Sequence, residues 1–217
     1  MNTNDRSMLW AARIGSVEGV KDSLDRGANI EATDVDRCNA LMLATAGNHV
    51  ELVKLLLDRG AKIEATDAVM YSALKSGARA GAVEAVKLLL DRGAIVDAAD
   101  RGPRVTALML AACDQKSDAV TKLLLERGAD GNAKDSRGFT ALHWAANCDN
   151  ALTVRALLER GVDASLVTLE GWTAEDMAGG EAKEILIAER VERERTFFRQ
   201  VVGIDDQEPA PPTRRRI

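Results

Sequence analysis

The feature that most constrains the fold is a segment of nine residues that the chain contains twice, VKLLLDRGA at 53–61 and again at 86–94. The Arg-Gly pair near its end recurs at intervals of 33, 33, 35 and 33 residues, as Arg26-Gly27, Arg59-Gly60, Arg92-Gly93, Arg127-Gly128 and Arg160-Gly161. A fixed period of this length is typical of solenoids, in which each period forms one supersecondary unit. The period is stronger evidence than the chain length, which alone would suggest one or two globular domains.

Each period predicts two helices. The first begins after a residue that can cap a helix N-terminus, and these residues are Asn39, Ser72, Thr106, Thr140 and Thr173. It is short and rich in Ala and Leu, as in ALMLATAG at 40–47, and a longer helix follows, as in VELVKLLLDRG at 50–60. In the longer helix Glu51, Lys54 and Asp58 share one face, which we expect to meet water. The apolar positions cover too wide an arc for a single neighbour, so each unit must pack on both sides.

Composition favours an all-α fold and a protein partner. Because only 3% of the residues are aromatic, a core must come from Leu, Val, Ile and Ala, which suits closely packed helices. The net charge of −5 gives no electrostatic footprint for nucleic acid or an anionic membrane and slightly favours a basic protein partner. We find no apolar run of signal-peptide or membrane-spanning length, and we therefore expect a cytoplasmic location.

Reactive residues give no signature of chemistry. The three cysteines, Cys38, Cys113 and Cys148, are odd in number and lack CxxC spacing, which indicates neither a disulfide framework nor a zinc site. His143, Cys148 and Asp149 are the best catalytic candidates, but residues five apart on a helix point in different directions. Phosphate-binding and dinucleotide-binding glycine motifs are absent from the sequence. We therefore predict a protein that is not an enzyme and has no metal, cofactor or small-molecule substrate.

The residues resemble ankyrin repeats over about 7–188. The resemblance rests on the period, on TALHWAA at 140–146, on the LLxRGA endings and on the hairpin aspartates Asp34, Asp67, Asp100 and Asp135. It implies an all-α solenoid of stacked helix-turn-helix units with β-hairpin loops, about six repeats including the caps. The implied domain is 1–188, with units at about 1–34, 35–67, 68–100, 101–135, 136–168 and 169–188.

The sequence departs from the family pattern at two kinds of position. The histidine of the Thr-Pro-Leu-His element is retained only as His143, which the family uses to bridge neighbouring backbones. Gly77 stands where the other internal units have Ala44, Ala111 and Ala145. Because glycine in a helix interior costs about 1 kcal/mol relative to alanine, we expect the third unit to be the softest.

The C-terminal residues predict a helix and a tail. Apolar residues recur at helical spacing up to 202, which predicts a helical extension over 189–202. We expect its Phe197-Phe198 pair to dock on the repeats, because exposed aromatic pairs promote aggregation. The Pro-rich and charged segment 203–217 is predicted to be disordered.

The family resemblance implies that a protein partner binds the concave face formed by hairpins and first helices. The candidate contact residues lie at the hairpin tips, just before the helix caps and on the first helices: Val35, Asp36, Cys38, Ala46, Val69, Tyr71, Arg79, Arg101, Arg104, Val105, Arg137, Phe139, Asn147 and Trp172. Trp10 and Trp144, on the first helices, are expected to be packing residues. We predict a monomeric adaptor or scaffold. The alternatives are a dedicated inhibitory or regulatory subunit of an enzyme or toxin and a nucleic-acid-associated factor that docks through Arg214–Arg216.

Overall fold

The computed structural model describes residues 1–99 and 102–202, and α-helices dominate this part of the chain. The helices are α1 Thr3–Arg13, α2 Val17–Asp25, α3 Ala40–Ala46, α4 Val50–Asp58, α5 Ala73–Ala80, α6 Val83–Asp91, α7 Ala107–Ala112, α8 Asp118–Glu126, α9 Ala141–Asn147, α10 Ala151–Glu159, α11 Ala174–Met177 and α12 Gly180–Val202. Odd-numbered helices pack on one another in chain order, and so do the even-numbered ones. This two-layered stack confirms the all-α solenoid.

The loops between pairs are tight turns with little strand structure. Among the described residues, the β-bridges are the isolated ones between Thr33 and Asn39 and between Val167 and Thr173. Each loop therefore depends on side-chain hydrogen bonds for its shape as well as on backbone pairing.

The predicted caps all occupy the N-cap positions of first helices. Asn39 accepts a hydrogen bond from the Met42 N–H, and Thr106 accepts one from the Met109 N–H. Thr140 and Thr173 also form capping boxes. Ser72 occupies the cap position of α5, but its buried hydroxyl makes no hydrogen bond to any of the described residues.

The second helices bury one side and expose the other, as their sequence predicts. In α4, Leu52, Val53 and Leu56 are fully buried, whereas Glu51 and Asp58 are exposed. The glycine after each of these helices has φ between 74° and 88°, the left-handed conformation that ends a helix, at Gly27, Gly60, Gly93, Gly128 and Gly161.

Two of the three cysteines form a disulfide, which corrects the sequence-based prediction. The bond joins Cys113, the C-cap of α7, to Cys148, the C-cap of α9, and their Cα atoms are 5.4 Å apart. Cys38 is free and half-buried. The two bonded cysteines are 35 residues apart and lie on consecutive repeats, a pairing that an odd total of three cysteines does not indicate.

The last helix begins in the stack and ends outside it. Ala182 and Leu186 are buried where α12 packs on α10 and α11, and Arg190 pairs with Glu175 of α11 at 2.9 Å. Phe197 and Phe198, however, are 68% and 62% exposed. The rings therefore do not bury themselves on the repeats as expected, although Phe197 lines a cavity together with Ala164 and Ser165. Segment 203–217 lies outside the described residues, so the prediction that it is disordered stays a prediction.

Candidate functional site

Aspartate side chains shape the hairpins that carry the candidate residues. Oδ1 of Asp67 accepts hydrogen bonds from the N–H groups of Val69 at 2.9 Å and Tyr71 at 2.8 Å. Asp34 and Asp135 bond in the same way to the residues two and four positions further on. Because the carboxylate holds the turn from inside, the residues at the tip point outward.

Neighbouring hairpins are hydrogen-bonded to one another through their backbones. The Ala68 N–H donates to the Asp36 carbonyl at 3.0 Å, and the Leu169 N–H donates to the Arg137 carbonyl at 2.9 Å. A third bond runs from the Ser136 N–H to the Pro103 carbonyl. The tips therefore form an edge along the stack on which equivalent residues follow one another.

The structure exposes most of the predicted contact residues. The exposed residues are Val35, Asp36, Ala46, Val69, Arg79, Arg104, Arg137, Asn147 and Trp172. Cys38, Tyr71 and Phe139 are half-buried, so each presents only part of its surface. Val105 is 6% exposed and belongs to the core, which removes it from the candidate contacts. Arg101 lies outside the described residues.

Large apolar side chains are unusually exposed at the hairpin tips. Val35 is 96% exposed, Val69 57%, Met70 47%, Leu169 80% and Trp172 51%. We call these five residues the tip surface. Met70 and Leu169 were missed from the sequence, although Leu169 occupies the place in its hairpin that Val35 occupies in the first.

Cationic side chains contact the half-buried aromatic rings beneath the tips. The guanidinium of Arg137 stacks over the Phe139 ring with 4.5 Å to the ring centroid, and the ammonium of Lys75 lies 5.9 Å from the Tyr71 centroid. These contacts pack a cation against each ring, and both residues remain partly exposed.

A cavity of about 490 Å³ opens between the first helices. Its walls are formed by Tyr71, Arg79, Leu110, Cys113, Asp114 and Trp144. Arg79 makes no hydrogen bond or ion pair within the described residues, and the indole Nε1 of Trp144 is buried without a partner. Trp144 is half-buried, as a packing residue should be, but Trp10 on α1 is 65% exposed and does not pack as expected.

His143 has a structural position in the stack. Its Nδ1 lies 2.9 Å from the Thr140 hydroxyl oxygen, and its Nε2 lies 3.1 Å from the carbonyl oxygen of Trp172 in the next repeat. Burial lowers the pKa of the His143 imidazole below its ordinary value. The ring therefore joins two repeats as the family resemblance implies, while Cys148, the other catalytic candidate, is bonded to Cys113.

Residues 1–99 and 102–202, which the structure describes, show neither a metal site nor a membrane span. They contain no group of three or more His, Cys, Asp or Glu side chains placed to hold a metal ion. They also contain no helix with the length and apolar character that crossing a bilayer requires.

Comparison with known proteins decides the family. A model of ankyrin repeats in three copies matches residues 8–100 and 99–168, which is most of the chain. The chain is an ankyrin repeat protein. Ankyrin repeat domains generally mediate protein–protein interactions, and this family is one of interaction modules without catalytic activity.

A solved ankyrin structure supports the same conclusion. The ankyrin repeat domain of Bcl-3, a unique member of the IkappaB protein family, is similar to this ankyrin repeat protein with a TM-score of 0.71 and 29% sequence identity. The similarity covers 82% of this chain and 80% of the Bcl-3 chain. No curated protein matches the chain significantly by sequence.

Proposed function

We propose that this ankyrin repeat protein is a non-enzymatic adaptor or scaffold that binds a protein partner through the tip surface and the adjoining first helices. The observation that carries the proposal is the exposure, by 47% to 96%, of five large apolar side chains at hairpin tips. Val35, Val69 and Met70 lie on two neighbouring hairpins that are hydrogen-bonded to each other, and Leu169 and Trp172 lie on the last hairpin. Exposed apolar clusters of this kind mark interaction sites, because binding a partner there removes apolar surface from water, which is favourable.

Charges beside the tip surface indicate what the partner presents. Arg137 and Arg104 are exposed in the same row, and Arg79 on α5 is exposed at the mouth of the cavity. Arginine is enriched in protein interfaces because its planar donors suit carboxylates and carbonyls. The net charge favours a basic partner, and the exposed carboxylates of Asp36 and Glu170 lie at the same tips as these arginines, so the surface suits a protein partner of mixed charge.

A dedicated regulatory subunit is the second candidate. The similarity to Bcl-3, an IkappaB-like regulator, favours it. The nucleic-acid alternative depends on Arg214–Arg216, which lie outside the described residues, and it has no support from the structure.

The test compares two variants that lose exposed apolar side chains at different places on the surface. The first carries Val35→Ser, Leu169→Ser and Trp172→Ser at the tips. The matched control carries Ile95→Ser and Leu152→Ser, whose parent residues are 58% and 63% exposed but lie after α6 and on α10. Each tagged chain, with its helicity checked by circular dichroism, is used to capture proteins from the native cell.

A partner that the parent and the control capture and the tip variant loses supports the proposal. Equal capture by all three chains contradicts it. The number of partners separates the two candidates, since a dedicated subunit captures one partner in fixed stoichiometry and an adaptor captures several.

A further inference from the structure

We propose that Cys113 and Cys148 form a reversible redox site, opened by a thiol or dithiol reductant, that controls how firmly the fourth and fifth repeats are joined. The inference stands independently of the proposed function, because it concerns the stack itself and its test needs no partner.

The placement of Cys113 is not explained by core packing. It occupies the position on its first helix that Ala46, Arg79 and Asn147 occupy on theirs, and these three residues are exposed. Cys113 and Cys148 are both half-buried. A cysteine at an outward position gains little from burial, so bonding to a second cysteine gives a better account of it.

The backbone brings the two residues within bonding range. They follow α7 and α9, which pack on each other, and their Cα separation of 5.4 Å lies within the range that disulfides allow without backbone movement. Partial exposure leaves the bond accessible to a small thiol.

The bond anchors the fourth repeat, which is less regular than its neighbours, to the fifth. α7 has six residues and is followed by a 3-10 turn over Gln115–Ser117 that leads into α8. The hydroxyls of Ser117 and Thr121 are buried there without hydrogen-bond partners in the described part of the chain. Hydrogen bonds from the Asn150 side-chain amide to the Ala112 carbonyl and from the Thr153 hydroxyl to Asp118 already join these two repeats. Because each repeat of a solenoid contacts only its neighbours, a covalent bond between the same two repeats adds directly to their stability.

Opening the bond also changes the cavity between the first helices. Cys113 forms part of its wall, beside Arg79 and Trp144. With the two sulfur atoms no longer joined, the end of α7 can move relative to α9, and the cavity changes shape.

The chemistry is thiol–disulfide exchange. A thiolate of the reductant attacks one sulfur, the protein S–S bond breaks, and a mixed disulfide forms while the other cysteine leaves as thiolate. A second thiol then displaces the protein sulfur, so the protein gains two electrons and two protons and the reductant becomes a disulfide. In a reducing compartment such as the cytoplasm, the location that the sequence predicts, the open form would be the resting state.

Cys38 does not compete in this exchange. Burial, with the nearby carboxylates of Asp34 and Asp67 adding to it, raises the pKa of the Cys38 thiol to about 11. It is therefore protonated near neutral pH and a poor nucleophile, which makes Cys38→Ser a matched control that keeps the bond.

The experiment uses the full chain, equilibrated with oxidised or with reduced glutathione, then denatured and alkylated for mass spectrometry. We expect one alkylated cysteine after oxidation and three after reduction. The oxidised form should melt about 10 °C higher than the reduced form, because the bond closes a loop of 35 residues. Backbone amides of α7 and α9 should exchange hydrogen more slowly in the oxidised form.

Two variants serve as controls for the redox experiment. Cys38→Ser should show the same redox difference in melting as the parent, and Cys113→Ser should show none. Three alkylated cysteines after treatment with oxidised glutathione would overturn the proposal, because the pair then does not bond. A bond that forms without changing melting or hydrogen exchange would overturn it too, because the site then controls nothing in the stack.

Discussion

Gly77 of α5 lies so close to Thr45 of α3 that a Cβ atom on residue 77 would be 2.7 Å from the Thr45 Cγ2. The Cγ2 of Val86 would be 2.9 Å away on the other side. Both distances are below ordinary van der Waals contact. The glycine therefore permits the close approach of two first helices, while the expectation that the third repeat is the softest stays a prediction.

We predict that Gly77→Ala destabilises the protein, although alanine is the better helix former. The overpacking cost of about 1 to 3 kcal/mol exceeds the gain of about 1 kcal/mol in helix propensity. Urea unfolding followed by circular dichroism measures the difference. The double variant with Thr45→Ser should recover part of the loss, because it removes Cγ2 and keeps the hydroxyl bond to the Leu41 carbonyl. A single variant more stable than the parent would show that the helices separate easily.

A second prediction concerns the aspartate that shapes a hairpin. Asp67→Ala should lower the free energy of unfolding by about 2 kcal/mol, because two backbone N–H groups lose their acceptor at a position that is 8% exposed. Asp67→Asn should cost less, since its side-chain oxygen can accept the same bonds. Asp36→Ala, on the exposed tip, is the control that removes a carboxylate without removing these bonds. Equal losses in Asp67→Ala and Asp36→Ala would contradict the assigned role.

The third prediction is a pH dependence caused by His143. Burial lowers the pKa of the folded imidazole, so between its unfolded value of about 6.5 and the lower folded value the unfolded state binds more protons. The neutral ring makes its full contribution to the free energy of unfolding above pH 6.5. This contribution is lost as the pH falls towards the pKa of the folded state. Chemical denaturation of the parent from pH 8 to pH 5 measures the loss.

The matched control for this prediction is His143→Met, because methionine stands at the equivalent positions 42 and 109. At pH 8 the variant should lose about 1 kcal/mol with the hydrogen bond to the Trp172 carbonyl. Its stability should fall less than that of the parent below pH 6.5. Parallel pH profiles for the two chains would show that His143 is not the titrating group.

Features that depend on local sequence could be predicted, and features that depend on distances between repeats could not. The caps, such as Asn39, and the left-handed glycine after each second helix follow from residues within one turn of the helix. The role of Gly77 depends on how closely α3 approaches α5, and the pairing of Cys113 with Cys148 depends on how far one repeat is displaced along the next. Neither distance can be deduced from the sequence of a single repeat.

The candidate site also has features that could be predicted from the sequence and features that could not. The hairpin tips could be located from the period, but exposure at equivalent positions differs with the neighbouring unit. Val105 is buried, whereas Trp172, after which no further hairpin follows in the described residues, is 51% exposed. A position in the pattern therefore predicts where a side chain lies along the stack, and the adjoining repeat decides how much of it a partner can reach.

The last prediction separates the two parts of α12. Phe197→Ser together with Phe198→Ser should change the free energy of unfolding by less than about 0.5 kcal/mol, because both rings are more than 60% exposed and support no core. Leu186→Ala should cost about 2 to 5 kcal/mol, because that side chain is 2% exposed between α12 and the stack. Urea unfolding of the three chains measures both values. A large loss in the double phenylalanine variant would indicate that the rings fold back onto the repeats in solution, as the sequence first suggested.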